Sequence, residues 1–236
     1  MKLILTCEHG GNYIPIEYKA LFINQEAVLH SHRGFDLGAL DVFQNLKPIA
    51  DFSKFSTTSR LLIELNRSLH KKILFSEFTN KLSKAEKQKI IAQYYKPYRD
   101  AVEGVILQYI QEGETVIHIS IHSFTPIWKK VERRVDIGLL YDSRIPKEKD
   151  FCKVFKAEIL RISNNYDIRF NQPYLGRSDG FPTYLRKQFS ENYIGIEIEI
   201  NQKYSRNNQM ASELKVALLT ALDVCKKKGF QNFGSL

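Results

Sequence analysis

The 236-residue sequence contains no run of about 18 consecutive apolar residues, the length that a helix needs to cross a bilayer. It has only three cysteines, Cys7, Cys152 and Cys225, at spacings that match neither a disulfide framework nor a zinc ribbon. These absences argue against a membrane-spanning protein and against a disulfide-stabilised secreted domain. We therefore expect a protein of the reducing cytoplasm with no membrane partner.

Internal repeats, low-complexity segments and Gly/Ser-rich linkers are also missing. With 43% apolar residues the chain can bury a sizeable core, so we expect one catalytic domain over residues 1–236. The N-terminal stretch MKLILTCEHGG passes from a short apolar run directly into polar residues, without a small-residue cleavage site. It predicts a first strand and not a signal peptide. The oligomeric state is left open by the sequence.

The net charge of +9 is the most biased feature of the composition. A basic balance is compatible with nucleic acid, an anionic surface or an anionic small substrate. Most lysines fall in helix-like segments, where solvated helix faces explain them, and the three lysines at 226–228 suit a helix C-terminus. Basic residues alternate with aromatic ones only briefly, in QYYKPYRD, so no nucleic-acid partner is expected and a nucleic-acid binder is the weaker alternative.

Strand-like and helix-like runs alternate along the chain. The predicted strands lie at residues 2–6, 59–65, 115–121, 136–141 and 193–200. The predicted helices lie at residues 35–46, 83–111, 149–164 and 210–227. Ser83 and Glu86 are spaced as a capping box, Pro97 predicts a kink or a break, and Gly229 ends the last helix. The alternation predicts an α/β fold, a three-layer sandwich whose central sheet is mostly parallel or mixed, with helices on both faces.

Four of the segments end in polar groups, although buried parallel strands are normally apolar throughout. They are LILTCEHGG at 3–11, LLIELNRS at 61–68, VIHISIH at 116–122 and GIEIEIN at 195–201. Side chains alternate between the faces of a strand, so Glu197 and Glu199 share one face of the last segment. Because ligands of open α/β sheets bind beyond the C-terminal ends of strands, we expect these groups to converge on a pocket.

Each group taken alone has a structural explanation as well. A single strand histidine such as His122 is more often an internal hydrogen-bonding residue than a ligand, and Glu64 and Glu197 could each pair with a buried arginine. Gly10 and Gly11 could form a simple turn. The combination of two histidines, a carboxylate and an Asn-Arg pair at four segment ends is nevertheless typical of a metal-assisted hydrolase.

Eight segments, in order, resemble the N-formylglutamate amidohydrolase family. They are CEHGGNYIP at 7–15, RGFDLGA at 33–39, SRLLIELNRS at 59–68, YKPYRDAV at 95–102, IHSFTP at 121–126, DIGLLYD at 136–142, NQPYLG at 171–176 and IEIEINQKY at 196–204. The resemblance implies a hydrolase of linear amides, distantly similar to zinc carboxypeptidases and amino-acid deacylases. Two positions depart from these patterns: Asn12 stands where a His-x-x-Glu motif has its glutamate, and Glu64 replaces the aspartate of the usual DLNR.

The resemblance implies one Zn²⁺ per chain, bound by His9, Asp36 and His122. Asp36 is chosen as the carboxylate ligand because the family has an aspartate at this place, and Glu8 is the second choice. Zinc held by two imidazoles and one carboxylate retains Lewis acidity and can lower the pKa of water towards about 7.

The same resemblance implies that Glu199 acts as general base and then general acid. Arg67 would face the developing oxyanion or a substrate carboxylate. Further substrate-binding candidates are Asn66, Arg60, Tyr174 and Arg177. Glu197 is expected to be structural, paired with a cation or with His118.

The implied substrate is a small anionic N-acyl amino acid. The implied reaction removes the N-formyl group, or another N-acyl group, from an acidic amino acid such as N-formyl-L-glutamate. A related metallo-deacylase or peptidase with a different N-acyl substrate is the alternative. The acyl group, the amino acid and the metal that is loaded are left open.

Overall fold

The computed structural model describes residues 1–229. The strands are β1 (Lys2–Cys7), β2 (Phe52–Phe55), β3 (Val116–Phe124), β4 (Ile127–Trp128), β5 (Val131–Glu132), β6 (Ile137–Leu140), β7 (Ile168–Phe170), β8 (Tyr193–Asn201), β9 (Ser205–Arg206) and β10 (Gln209–Met210). The α-helices are α1 (Glu26–Leu29), α2 (Ala39–Leu46), α3 (Lys84–Ile90), α4 (Lys96–Gln111), α5 (Pro146–Ile162), α6 (Phe181–Gln188) and α7 (Ser212–Lys228). Short 3₁₀ helices lie at Ile16–Phe22, Lys47–Ile49, Lys72–Leu74 and Gln202–Tyr204.

Within residues 1–229, six strands form one mixed sheet in the order β2-β1-β3-β8-β6-β7. All neighbours pair in parallel except β6 and β8, which are antiparallel. The two-residue strands form two separate antiparallel pairs, β4 with β5 and β9 with β10. The predicted mostly parallel or mixed sheet is confirmed.

Helices cover both faces of this sheet. On one face, Phe43 of α2, Phe155 of α5 and Leu218 of α7 pack with strand residues such as Ile119 and Ile198 in one buried cluster. On the other face, residues of α3, α4 and α6 pack with a second cluster that includes Ile4, Val116 and Tyr193 of the strands. Full burial of such large apolar side chains contributes about 1.5–3 kcal/mol each to folding, so the three-layer arrangement is stabilised from both sides of the sheet.

The strand predicted at residues 59–65 is wrong. This segment consists of turns and irregular backbone, and the strand that borders β1 lies earlier, at Phe52–Phe55. Its apolar side chains are buried, as in a strand, but side chains bind its carbonyl groups: Thr79 donates to the carbonyl oxygen of Leu62 at 3.1 Å and Arg99 to that of Leu65 at 3.0 Å. A short buried apolar run therefore does not by itself identify a strand.

The helical predictions hold with shifted ends. Ser83 Oγ accepts a hydrogen bond from the Glu86 amide at 3.2 Å, as the capping box predicts. A π-helical turn, Ile91–Tyr95, joins α3 to α4 without a gap, and Pro97 follows it two residues later, so the regular α-helix is interrupted just before the proline. The helix predicted from residue 35 begins only at Ala39, after a glycine with a positive φ.

The last predicted helix ends at Gly229, which has a φ of 65°. Cys7, Cys152 and Cys225 are buried and form no disulfide in the part of the chain that the structure describes. Among residues 1–229, no helix combines the length and the apolar character that a bilayer crossing demands. The end of the predicted domain, residues 230–236, lies outside the described residues.

Candidate active site and metal centre

Two adjacent strands present a buried row of polar side chains. The parallel register of β3 and β8 pairs Ser120 with Glu197 and His122 with Glu199. Ile119 and the other alternate residues of these strands point into the cluster formed with α2, α5 and α7. The polar row therefore faces the opposite side of the sheet, and its last members lie towards the C-terminal ends of both strands.

His9 lies in the turn that follows β1. A Cβ atom at Gly10 would lie 2.9 Å from the Ser56 carbonyl oxygen, and one at Gly11 would lie 2.8 Å from the Thr57 carbonyl oxygen. The two glycines therefore let this turn run tightly against the segment after β2. The amide of Asp36 donates to the carbonyl oxygen of His9 at 2.9 Å, which brings these two residues together.

His9, Asp36 and His122 form a buried group of three potential ligands. Asp36 Oδ2 is 3.2 Å from His9 Nδ1 and 2.9 Å from His122 Nδ1. One ligand atom from each residue lies within 4.8 Å of the other two. Two imidazoles and one carboxylate are a donor set that a catalytic zinc ion uses, with the fourth position left for water or substrate. The three predicted ligands are thus brought together, and their role stays a prediction.

The other nitrogen of each imidazole is held by a carboxylate. His9 Nε2 is hydrogen-bonded to Glu64 Oε1. His122 Nε2 lies 3.2 Å from Glu8 Oε2 and 2.8 Å from Ser120 Oγ. Carboxylates in these positions orient metal-binding imidazoles and determine which nitrogen is free for the ion. Glu8, the second choice for a ligand, therefore lies on the far side of the His122 ring and fits an orienting role.

Glu8 is itself held by two hydroxyl groups. Ser120 Oγ donates to its Oε2 at 2.5 Å and Tyr98 OH donates to its Oε1 at 3.0 Å. Burial alone would raise the pKa of Glu8, but the hydrogen bonds from His122 and Ser120 outweigh it and keep the pKa well below the usual range. Burial opposes the charge on His122 too, and Asp36 and Glu8 together raise the pKa of its imidazole.

Arg60 bridges two of these carboxylates. Its Nη1 donates to Asp36 Oδ1 at 2.9 Å, while its Nε and Nη2 donate to Glu64 Oε2 at 2.9 and 2.8 Å. Desolvation disfavours the ionised carboxylates, but Arg60 and His9 keep the pKa of both Asp36 and Glu64 low. Glu64 therefore has the arginine partner that the structural explanation predicted. Arg60, a candidate for substrate binding, is occupied by the protein's own acids.

The two carboxylates of β8 differ in their partners. Asn66 Nδ2 donates to Glu197 Oε1 at 2.9 Å. Glu199 Oε2 is buried and has no hydrogen-bond partner among the described residues. Burial raises the pKa of Glu199 to about 8, with the nearby charges of Asp36 and Glu197 adding to the rise and His122 opposing it. A carboxyl group with this pKa can exchange a proton near neutral pH.

Of the two partners expected for Glu197, a cation or His118, the structure excludes His118. His118 Nε2 is hydrogen-bonded to Thr6 Oγ1 and its Nδ1 to Tyr193 OH, both at 2.7 Å. The nearest cationic candidate to Glu197 is His122, whose Nε2 is 3.8 Å from Glu197 Oε1. Both ring nitrogens of the buried His118 are thus hydrogen-bonded to hydroxyl groups, and the Glu197 carboxylate accepts its hydrogen bond from the side-chain amide of Asn66.

These groups line a cavity of about 190 Å³ at the edge of the sheet. Its walls are formed by His9, Asp36, Arg60, Asn66, Arg67, His122, Ser123, Leu140, Tyr174, Leu175, Ser178, Asp179, Glu197 and Glu199. Of the predicted site residues, only Arg177 is not in this wall, and its side chain is exposed. It belongs to the same loop as Tyr174 and Leu175, which do line the cavity.

Arg67 is the cation of the cavity that the protein leaves available. Its Nη1 donates to the carbonyl oxygen of Asn66 at 2.7 Å, and it makes no ion pair within residues 1–229. The next residue along the chain, Ser68, is held by Asp179, which accepts hydrogen bonds from the Ser68 amide at 3.1 Å and from the Ser68 hydroxyl at 2.6 Å.

Sequence reasoning missed several wall residues. Ser123 and Leu140 lie inside segments that carry the family resemblance, and their strand positions could have identified them. Asp179 follows no recognisable pattern, because its place in the wall depends on the packing of α6 against the rest of the chain. Gly180 is confined for the same reason: a Cβ atom there would lie 3.2 Å from Asn66 Oδ1.

The charge balance of the site fits a bound cation. Five carboxylates are buried around the cavity: Glu8, Asp36, Glu64, Glu197 and Glu199. Buried carboxylates are costly unless cations compensate them, and in the described residues Arg60 is the one arginine paired with this group. The ligand atoms, the orienting carboxylates and the unpartnered Glu199 oxygen together match what a divalent metal ion requires.

Solved structures with the same fold include the gene product Atu2144 from Agrobacterium tumefaciens. It is 24% identical, with a TM-score of 0.80 over 99% of this chain and 92% of that one. An N-formylglutamate amidohydrolase from Ralstonia eutropha JMP134 is 17% identical, with a TM-score of 0.71 over 97% of this chain and 95% of that one. These likenesses show the shared fold. No curated protein sequence matches this chain significantly.

The family assignment comes from the sequence itself. The family model described as N-formylglutamate amidohydrolase matches residues 1–205, a span that contains every residue of the cavity wall. The chain therefore belongs to the N-formylglutamate amidohydrolase family and is a hydrolase that acts on amides.

Proposed function

We propose that this protein is a zinc-dependent amidohydrolase that removes the N-formyl group, or another N-acyl group, from an acidic amino acid such as N-formyl-L-glutamate. One observation carries the proposal. The buried ligand group of His9, Asp36 and His122 shares a cavity with Glu199, whose carboxyl oxygen is unpartnered in the described residues. Amide hydrolysis by water needs an activated water and a stabilised oxyanion, and a metal ion beside a proton carrier can supply both, so this cavity offers residues for the reaction.

His9, Asp36 and His122 would hold the ion. When bound, zinc supplies Lewis acidity that polarises a carbonyl oxygen and makes a water molecule more acidic. Glu64 and Glu8 would keep the Nε2 atoms of the two imidazoles engaged, so that the Nδ1 atoms stay directed at the ligand site.

Glu199 is the proposed proton carrier. As a carboxylate it would accept the proton of the attacking water, and as a carboxylic acid it would deliver that proton to the nitrogen of the leaving amine. In the metal-free protein burial raises the pKa of Glu199 to about 8, and a cation bound beside it would favour the carboxylate, which is the form that accepts the proton of water. Glu197 is less suited to the task because its Oε1 already accepts a hydrogen bond from Asn66.

Arg67 is the proposed anchor for an anionic part of the substrate. Its guanidinium can bind a carboxylate through two parallel hydrogen bonds, or face the oxyanion that develops at the scissile carbonyl. Asn66 and Tyr174 line the same cavity and would contribute polar contacts. Tyr174 is 44% exposed, which places it at the mouth.

A second candidate substrate class is favoured by the pairing of Arg60. An acidic N-acyl amino acid carries two carboxylates, yet within the described residues Arg67 is the one arginine of the wall without an ion pair. An N-acyl amino acid with a neutral side chain needs a single anchor, so it would also satisfy this cavity.

The deciding experiment is a substrate panel with a metal titration. Purified protein is assayed on N-formyl-glutamate, N-formyl-glutamine, N-acetyl-glutamate and N-formyl-methionine, before and after treatment with a chelator and after zinc is restored. We expect zinc-restorable hydrolysis and a preference for the acidic side chain. Preference for the glutamine or methionine compound would select the second candidate, and chelator-resistant hydrolysis would refute zinc dependence.

The cellular setting is part of the proposal. Three buried cysteines without a disulfide in the described residues suit the reducing cytoplasm. A small anionic N-acyl amino acid is the proposed partner, and neither a nucleic acid nor a membrane is required for the reaction.

A further inference from the structure

Arg99 is a buried arginine that the proposed reaction does not use. It lies on α4, is 3% exposed and makes no ion pair within residues 1–229. Desolvation lowers the pKa of its guanidinium, which means that the fold bears a cost for keeping a charge there. An apolar side chain of similar length would fill this space without that cost. The role of Arg99 must therefore come from the contacts that its guanidinium makes.

The guanidinium lies among aromatic rings and donates to backbone carbonyl groups. Its central carbon is 4.2 Å from the ring centre of Phe181, 4.5 Å from that of Tyr184 and 4.9 Å from that of Tyr95. Its Nη1 donates to the carbonyl oxygens of Leu65 at 3.0 Å and Arg67 at 3.3 Å. Cation–π contacts offset part of the desolvation cost, and Nη1 alone serves both acceptors, while Nη2 has no hydrogen-bond partner among the described residues.

These two carbonyl groups flank Asn66, at the segment that carries both polar candidates of the cavity wall. The segment has no strand or helix to hold it. Tyr95 adds a second hydrogen bond to the Arg67 carbonyl oxygen, at 2.7 Å. On the other side of the segment, the Phe181 amide donates to Asn66 Oδ1 at 2.6 Å.

We propose that Arg99 is a positioning residue that fixes the backbone of Leu65–Asn66–Arg67 and thereby aims the Arg67 guanidinium into the cavity. The inference rests on the proposed function, because it takes Arg67 as the anion anchor. Lysine should not replace Arg99, since an ammonium group lacks the planar guanidinium that lies against three aromatic rings while its Nη1 donates to both carbonyl groups. Displacement of an anchoring group by about 1 Å can cost about 10²-fold in rate, so indirect positioning can have a large effect.

A double-mutant cycle tests the route of action. Arg99→Met and Arg67→Lys are made singly and together, and kcat and KM are measured for the best substrate of the panel. We expect Arg99→Met to change the same parameter as Arg67→Lys, by about tenfold or more, and to add little in the Arg67→Lys background. Additive effects of the two substitutions, or an unchanged KM and kcat in folded Arg99→Met, would overturn the proposal.

A milder matched pair serves if Arg99→Met does not fold. Tyr95→Phe removes one hydrogen bond to the Arg67 carbonyl group, whereas Tyr94→Phe removes the neighbouring hydroxyl, which donates to Glu17 at 3.0 Å instead. We expect only Tyr95→Phe to weaken the kinetics in the manner of Arg67→Lys. Equal effects of the two variants would contradict positioning through this segment.

Amide hydrogen exchange separates this inference from the proposed function. Peptides that cover residues 65–68 should exchange faster in Arg99→Met, or in Tyr95→Phe, than in the parent protein, while peptides from the strands stay protected. This readout does not depend on the substrate or on zinc. Unchanged exchange in this segment would overturn the positioning role of Arg99 even if the hydrolase activity is as proposed. An inactive parent protein would refute the proposed function, and the exchange result would still decide whether Arg99 fixes this backbone segment.

Discussion

Glu199 lies beside His122, at paired positions of the adjacent parallel strands β8 and β3. The pairing places an unpartnered carboxyl oxygen next to a proposed metal ligand, in a cavity with no competing hydrogen-bond donor to Glu199 Oε2 among the described residues. A proton carrier must be close to the ion and must not be tied to another group. This relationship therefore favours Glu199 over Glu197 as the proposed proton carrier.

Glu199→Gln keeps the shape of the side chain but cannot accept a proton. We expect turnover to fall by about 10²–10⁴-fold, the range for positioned acid–base groups, with zinc content unchanged. Glu197→Gln is the matched control, since the glutamine oxygen can still accept the Asn66 hydrogen bond, and its loss of turnover should be much smaller. Turnover, zinc content and melting temperature are compared. A well-folded, inactive Glu197→Gln beside an active Glu199→Gln would assign the base to Glu197.

Substitution of a proposed zinc ligand should reduce zinc binding far more than substitution of a residue that only orients a ligand. Alanine at His9, Asp36 or His122 should abolish stoichiometric zinc binding, which elemental analysis would otherwise find at about one ion per chain. Glu8→Gln removes the negative charge beside His122 Nε2, which also lies 2.8 Å from Ser120 Oγ, and should weaken zinc affinity by about 10–100-fold while leaving the site loadable at high zinc. If Asp36→Ala retains full zinc and Glu8→Gln loses it, Glu8 is the carboxylate ligand.

Arg67→Lys tests whether a guanidinium fork is required. The variant keeps the positive charge, so a role through charge alone would leave activity nearly normal. We expect a large loss of activity with the fold and the zinc content intact. A rise in KM would identify a substrate carboxylate as the partner, whereas a fall in kcat would identify the oxyanion. Arg177→Lys is the control, because Arg177 lies outside the cavity wall, and it should behave like the parent.

His118 predicts a pH dependence of stability. Burial is the main cause that lowers the pKa of its imidazole to about 4, from an ordinary value of 6.5. The folded state therefore resists protonation that the unfolded state accepts, so the contribution of His118 to stability is complete above pH 6.5 and is lost as the pH falls from 6.5 towards 4. A shift of this size corresponds to about 3 kcal/mol of unfolding free energy.

Urea unfolding of metal-free protein across this pH range measures the effect. His118→Gln removes the titrating group, so its unfolding free energy should fall less steeply between pH 6.5 and 4 than that of the parent. Carboxylates with lowered pKa values, such as Glu8, contribute their losses below the ordinary value of 4.5, and both proteins share those losses. Parallel curves for the two proteins over the whole range would contradict the assignment to His118.

Much of the fold followed from local patterns. The alternation of strand-like and helix-like runs was enough for the three-layer architecture, since burial of apolar faces on both sides of a sheet leaves few other arrangements. The period of two in a strand was enough to put Glu197 with Glu199, and Ser120 with His122, on shared faces. The strand prediction for residues 59–65 was wrong because a buried apolar run has the same composition in a strand and in a packed loop.

The sequence by itself determined which groups are candidates for the chemistry, namely two histidines, the acids of β8 and the Asn-Arg pair, because residue type and strand period are local properties. Only the tertiary structure decided their partners. It put Asp36 and not Glu8 between His9 and His122, engaged Arg60 with Asp36 and Glu64, and left Arg177 outside the cavity. Such contacts join segments that are far apart in the chain, so they depend on strand register and helix packing, which no local pattern encodes.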